Sequence, residues 1–505
     1  MAGAHRRVAL VGARKAAGHT QESLAAALHV DRSTVIRWEA GEQAPLPYLR
    51  PKLARLLGQS LEQLREMIDH HVETQHRGVD GANGDMAVAF DWLDRHAGWS
   101  SGTSRRKVTS RLGTLDERTL RDRNGWCVKA GRSAVARALS DYYGDAQSPD
   151  VSTYRARFGG LDVTTSIVTR PEWLHLACAL APEHDRLMMA NSASNRLLQV
   201  DELAAEHAVR RLAETIALGV RVINAPIYRL LGHDIAPGAI DGRVELGQFV
   251  EYALTMDMLE GELLDTIASG AALRPGSLPL REEYLPDFDA VLDVSSRLCA
   301  GGVLALCAIA RPADVYRGAA DYALLIQERS EHVLNAARQL AVIPKGFHQP
   351  LADYRSDAQV GATLRREMEE ELFGRSDIDT TVSPQVAAAP MHPSRLSEPM
   401  RWLTGVPDAL RMECTGFGLN LVSGNYEFAC LIMIDDEEFW QQYGGRIEAN
   451  WESVGLRLYS TLDPELLADL VADDCWSNEG LFALLLGLRR LGEVGGKRVN
   501  LPAVQ

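Results

Sequence analysis

The chain has 505 residues, 46% apolar and 24% charged side chains, and a formal net charge of −15. That length exceeds one compact core and predicts two to four domains, and the composition excludes a largely disordered chain. The longest apolar stretch, Leu298 to Ala310, is too short to cross a bilayer, and seven dispersed cysteines without a CxxC pair point to reduced thiols in a cytoplasm.

The charge is unevenly placed. Residues 1–77 carry 11 Lys and Arg against 8 Asp and Glu, whereas the remainder carries 42 against 60. An acidic body repels phosphate polyanions, so contact with nucleic acid is expected only in the N-terminal piece. No segment reads as a membrane span. The boundaries read as a helical head at 1–75, a polar, Gly-containing linker at 76–85, a mainly α-helical region of unknown role at 86–312, and a mixed α/β domain at 318–495.

In the head, short helical patterns follow one another. The first is expected at Arg6 to Ala16, stopping at Gly18. Thr20 can cap the second, which buries Leu24, Ala25 and Leu28. His29, Val30 and Asp31 make a tight turn. Asp31 then caps a third helix (DRSTVIRWEAGE) in which Val35, Ile36 and Trp38 pack while Arg32, Ser33, Thr34 and Arg37 face outward. Two more helices are expected, at Pro47 to Leu57 and Leu61 to Ile68. A short helix presenting Arg, Ser and Thr suits the major groove, where Arg can bridge guanine and hydroxyls can reach phosphate or base edges.

From Val8 to Met67 this pattern resembles the Cro/C1-type (XRE) helix-turn-helix family, on the strength of TQESLAAALHVDRSTVIRWEAGE. The resemblance implies that Gln21 touches the phosphate backbone and that Arg32, Ser33, Thr34 and Arg37 face double-stranded operator DNA. His29 stands where that family usually has Gly. One short recognition helix reads few base pairs, so a homodimer is expected.

The middle region shows apolar helical faces, as in residues 201–232 (DELAAEHAVRRLAETIALGVRVINAPIYRLLG), but no catalytic constellation. Gly98-Trp99-Ser100-Ser101-Gly102 matches the G-x-S-x-G elbow of hydrolases in letters only. A helical pattern precedes it, so it reads as a loop. His70, His71 and His76 lack companions at ligand spacing.

Further along, Tyr322 to Leu334 and Arg411 to Ile434 are strand-like, the latter broken by a Ser423-Gly424-Asn425 turn, and Glu479 to Leu491 is an apolar helix. Between them lies GATLRREMEEELFG, where Glu367, Glu370 and Glu371 are spaced i, i+3, i+4 and so share one helical face. Such a face is either solvated or neutralised. A hard cation such as Mg2+ is a natural occupant and would in turn hold a diphosphate.

Arg366-Glu367-Met368-Glu369-Glu370-Glu371 resembles the R-E-U-x-E-E core of the Nudix box, and Ala341 to Phe347 resembles the strand and glycine leading into it. The resemblance implies a C-terminal α/β/α Nudix-like mixed-sheet domain in which Glu367, Glu370 and Glu371 bind the metal and serve catalysis if the domain is a hydrolase, with Arg366 orienting a carboxylate. The box departs from its pattern in three places. Its first Glu falls on Ala358 beside Asp357, Gly346 lies 20 residues ahead of Arg366 instead of 14, and Gly374 is one residue out of step.

The expectation is a cytoplasmic, sequence-specific transcription regulator whose Nudix-like domain senses a nucleotide-type diphosphate ligand. The alternative is a Mg-dependent Nudix hydrolase of a nucleoside-diphosphate derivative carrying a DNA-binding head.

Overall fold

A computed structural model describes residues 7–17, 19–28, 30, 32–40, 45, 49–59, 63–64, 67, 84–115, 120, 131–144, 150–191, 199–220, 222–329, 339–375, 390–444, 447 and 453–505. Two compact units emerge, Met1–Gly84 and Asp85–Gln505. Gly18, His29, Asp31, Gly41, the histidines at 70, 71 and 76, and nearly all of the expected linker lie outside the described residues.

The first unit holds α1 (Val8–Ala16), α2 (Gln21–Leu28), α3 (Arg32–Ala40) and α4 (Leu49–Leu57). Of the helix expected next, Gln63, Leu64 and Met67 are described and helical. One apolar core gathers Leu10, Ala13, Leu24, Leu28, Val35, Trp38, Leu53 and Leu57. Every third or fourth residue of each helix faces it, which is why the 3.6-residue period was legible.

The second unit opens with α5 (Gly84–His96) and α6 (Thr103–Leu112). The loop between them is the G-x-S-x-G look-alike, and it is a loop, as expected. Asp94 accepts the Gly102 and Ser104 N–H groups at 2.6 and 2.7 Å. Then come α7 (Arg132–Tyr143), β1 (Ser152–Phe158), β2 (Leu161–Thr169), β3 (Leu174–Ala179), β4 (Asp185–Met189), α8 (Glu202–Leu218), β5 (Pro226–Ala236) and β6 (Ala239–Gln248). Four short helices follow: α9 (Phe249–Ala253), α10 (Met258–Ala268), α11 (Pro279–Tyr284) and α12 (Phe288–Leu292).

The mainly helical middle region is therefore a correction. Residues 86–312 supply six complete strands and then β7 (Gly301–Arg311). The apolar pattern at 201–232 is helix only to Leu218; beyond it, Pro226 opens a strand and Pro237-Gly238 turns the chain back into β6. A short apolar run packs equally well as a buried strand or a helical face, so its period alone cannot decide.

The chain continues through β8 (Asp321–Arg329), β9 (Leu340–Val342), β10 (Lys345–Phe347), α13 (Val360–Glu367), α14 (Glu398–Gly405), β11 (Leu410–Asn420), β12 (Tyr426–Ile434), α15 (Glu437–Tyr443), β13 (Ser453–Ser460), α16 (Pro464–Ala472) and α17 (Asn478–Val494). Among the described residues ten strands form one mixed sheet in the order β1-β2-β11-β12-β7-β8-β13, with β3 on β11, β9 on β8 and β10 on β7. Within it β12 runs parallel to β7. A separate three-stranded sheet runs β4-β6-β5. The boundary expected between 312 and 318 cuts the β7–β8 hairpin, and β1 and β2 share a sheet with β11, so one core spans it.

All nine residues of β12 are buried, as suits a central strand covered on both faces. Against the sheet lies α17, whose Leu481 through Leu486 are buried without a break. A helix apolar all round belongs in a core. Ser477 caps it, accepting the Gly480 N–H at 3.1 Å. Among the described residues no helix is long and apolar enough to cross a membrane.

Candidate DNA interface and acidic site

In the first unit, Thr20 caps α2 as expected, accepting the Ser23 N–H at 3.0 Å while Ser23 Oγ accepts the Thr20 N–H at 2.8 Å. On α3, Val35 and Trp38 are buried at 1% exposure. Arg32 and Arg37 are exposed and Thr34 is half-buried. Ser33 lies in the helix. Ile36, expected to pack, is instead 40% exposed. It sits one turn from Arg32 and so joins the outward face. An exposed aliphatic group there suits the methyl of thymine. Reading Ile36 as core was an error of phase in a nine-residue helix, where neighbouring positions on the wheel are hard to separate.

The back of this interface is a buried polar clamp. Glu39 is 3% exposed and takes Arg14 Nε on Oε1 at 2.5 Å. Arg14 Nη1 also donates to the His19 carbonyl at 2.7 Å. Gln21, expected on the phosphate backbone, directs its amide nitrogen to Glu39 Oε2 at 2.7 Å. The reason is electrostatic: a buried carboxylate takes several donors, and where Arg14 Nη2 reaches Oε2 only at 3.4 Å, Gln21 adds a shorter bond to the same oxygen. The clamp ties α1, α2 and α3 together and so fixes the angle at which α3 is presented.

In the second unit, Asp185 at the start of β4 accepts the Gly361 N–H at 2.8 Å and so caps α13. Burial raises its carboxyl to about 6. The helix then widens into a π turn at Met368–Leu372 and ends at Gly374, φ +66°. A π turn holds one extra residue, which is where the box falls one residue out of step.

That turn also rotates the three glutamates relative to one another. Arg366 is buried, ion-paired with Glu367, and donates to the Gln349 carbonyl at 2.9 Å; its Nε lies 3.9 Å from Glu370. Glu371 Oε2 accepts the Lys345 N–H at 2.6 Å. Glu369 is fully buried, accepting from Ser397 N–H at 2.9 Å and Oγ at 3.1 Å. Glu367 and Glu371 thus reach the same edge of β10, each already engaged. Glu367 lies so close over Gly346 that a Cβ there would fall 2.2 Å from its Oε1, which explains the glycine.

Sequence reasoning missed the groups beside this edge. Lys345 Nζ bonds Glu479 Oε1 at 2.6 Å. Asn420 Nδ2 lies 3.4 Å from both Glu427 and Glu479. Glu427 is 3% exposed. Burial and the neighbouring Glu479 push its carboxyl well up. Burial also opposes charge on Glu479, but the Lys345 ammonium outweighs it and holds that carboxyl below its ordinary value. Glu260 on α10 is raised to about 7 by burial, then by Asp257 and Glu479. The signal in the sequence was the lone acid of β12, a charge set in an otherwise apolar strand.

Arg366 is thus the cation set among these glutamates, while the Lys345 ammonium is taken by Glu479 beside them. Among the described residues no group of three or more His, Cys, Asp or Glu is placed to hold a metal. The donor set as arranged does not fit Mg2+.

Comparison with known proteins bears on the first unit. A family model described as Helix-turn-helix matches residues 12–64, from within α1 to beyond α4. The head is a helix-turn-helix DNA-binding domain of the transcription-regulator type, and its partner is DNA. No curated protein matches the chain.

Proposed function

We propose that the chain is a cytoplasmic, sequence-specific transcription regulator that binds its operator as a homodimer. Its Nudix-like C-terminal region senses a nucleotide-type diphosphate instead of hydrolysing it. The observation that carries the DNA-binding role is the outward face of α3, with Arg32, Ile36 and Arg37 exposed around a buried Trp38. The sensing role rests on the retained Arg366-to-Glu371 run, whose acidic groups are engaged by protein partners. A hydrolase that used Mg2+ would need those carboxylates for the ion.

The hydrolase reading keeps one specific support: Glu367 and Glu371 still converge on the Lys345–Gly346 edge. Two measurements test the proposal. An operator selected from random duplexes should lose about 1 to 3 kcal/mol of affinity with Arg37→Ala if that side chain reads a base; unchanged affinity refutes the placement of α3. A panel of nucleoside-diphosphate sugars, dinucleotides and nucleoside triphosphates is then assayed with Mg2+. Altered operator affinity without turnover supports sensing. Turnover that disappears in a Glu370→Gln, Glu371→Gln variant refutes it in favour of the enzyme.

A further inference from the structure

Apart from the acidic edge of β10, the second unit contains a cavity of about 600 Å³ on the exposed face of the three-stranded sheet. That volume is in the range of small-molecule sites. Its walls are Met188 and Met189 from the end of β4, Ala190 and Asn191 just beyond, Leu231 from β5, Arg243 from β6, and Arg355.

The strand register builds the concavity. Met188 pairs with Arg243 across the parallel β4–β6 ladder, and Arg243 pairs with Gly232 across β6–β5. Cross-strand partners share a face, so these three positions form one row. The register shifts between Leu230 and Gly232, leaving Leu231 as an extra residue that bends the strand. Beside Arg243 the space over Gly232 is open, since a Cβ there would meet nothing within 4 Å.

The chemistry of the walls is specific in sign. Two arginines line a hollow whose other walls are two thioethers, an alanine, a leucine and an amide, and among the described residues no lining residue is acidic. Of the acids near Arg243 on these strands, Asp241 is bidentate with Arg186, whose Nε reaches Oδ1 at 2.8 Å, and Glu245 is paired with Arg229; Asp234, opposite Asp241 on β5, is exposed and stands outside the lining. Asp353 is taken up by the Arg355 backbone N–H at 3.0 Å and by Ser356. The segment carrying Arg355 is fixed to β5 where Tyr228 Oη donates to the Tyr354 carbonyl at 2.8 Å. In a chain with a net charge of −15, a cationic hollow with polarisable walls selects against most of its own surface and for a planar anion.

We propose that this cavity binds a small organic anion with an apolar, preferably aromatic, body. Arg243 and Arg355 hold its carboxylate, sulfonate or phosphate, and Met188, Met189 and Leu231 cover the body. The assignment is independent of the sensing role given to the acidic edge. It adds a second ligand position, on the strand whose first residue, Asp185, caps α13.

The test is a fluorescence titration of the full chain with 1-anilinonaphthalene-8-sulfonate, and in parallel with N-phenyl-1-naphthylamine, its uncharged analogue. Saturable binding of the sulfonate, displaced by 1-naphthoate, is expected. Its Kd should rise at least about tenfold in Arg243→Ala, Arg355→Ala, since each charge-assisted contact exceeds that threshold. Gly232→Phe should set a ring beside Arg243, its cross-strand partner, and weaken binding of both dyes without altering charge. Circular dichroism melts confirm that each variant is folded, and the arginine pair suffices if Gly232→Phe is not. Non-saturable enhancement, equal affinity for the uncharged dye, or an unchanged Kd in the arginine variant would each overturn the proposal.

Discussion

Replacing Glu39 with Ala should unfold the DNA-binding head while leaving the rest of the chain intact. The substitution removes the acceptor of Arg14 Nε at 2.5 Å and of Gln21 Nε2 at 2.7 Å, and leaves a guanidinium at 7% exposure with the His19 carbonyl. Breaking one side of a buried ion pair costs about 3 to 5 kcal/mol. A head of some 60 residues has a total stability of roughly 3 to 9 kcal/mol, so the loss takes most or all of it. Calorimetry on the full chain should show the transition of the head lost or lowered by at least about 12 °C, with the transition of residues 85–505 unmoved. Anisotropy with duplex DNA at low salt should fall in step. Replacing both partners with apolar groups, Arg14→Met with Glu39→Leu, should recover much of the stability, because no orphaned charge remains. If Glu39→Ala cost less than about 1 kcal/mol, or if the double variant were worse than the single, the clamp would not be what holds the head together.

Two further outcomes follow from the larger unit. Asp185→Ala should cost about 1 kcal/mol through loss of the cap on Gly361, and Asp185→Asn less, because an amide oxygen still accepts that N–H; chemical denaturation monitored through tryptophan fluorescence measures both. Stability should fall as pH rises through neutrality. Glu260 releases its proton near 4.5 when unfolded and about 7 when folded, so between those values the folded state binds more protons. The contribution is complete below 4.5 and lost above 7. Asp185, raised to about 6, acts with the same sign. A denaturation midpoint that rose from pH 5 to 8, or a slope unaffected by Glu260→Gln, would contradict this assignment.

The head was legible because its helices are local objects. A cap, an apolar stripe and an exposed basic face each occupy fewer than a dozen residues, and Thr20, Leu24, Trp38 and Arg37 all fall where their spacing put them. The bond from Gln21 to Glu39 was not legible because the two lie 18 residues apart, and no spacing rule links them. The middle region failed for the same reason at larger scale. Strand β2 finds its neighbour in β11, some 250 residues later, and carries β1 into the same sheet, so their burial is decided there. The C-terminal hairpin succeeded since its turn at Gly424, φ +75°, lies between its own two strands. The acidic edge was half legible. The run of glutamates drew notice, but Glu367 is paired with Arg366 inside the run itself, and Glu371 finds its donor in the backbone N–H of Lys345, 26 residues before.

The cations Arg366 and Lys345 make a last prediction about metal. An ion entering the edge of β10 must displace Arg366 from Glu367 or compete with Lys345 for Glu479, and each exchange surrenders a charge-assisted bond in a poorly solvated place. A ligand stabilises a fold only through its net affinity for the folded state. Mg2+ should therefore leave the melting temperature of the larger unit unmoved at concentrations where a genuine Mg2+ enzyme would be saturated. Lys345→Met removes the internal cation and leaves Glu479 and Glu427 facing each other. That variant should be less stable than the parent without metal, with a Glu479 carboxyl that rises once its ammonium is gone. It should also regain stability on adding Mg2+, because the ion now takes a place the protein had filled for itself. A parent chain stabilised by Mg2+, or a Lys345→Met variant indifferent to it, would show that Lys345 does not do the work of the cation, and the hydrolase reading would then take precedence.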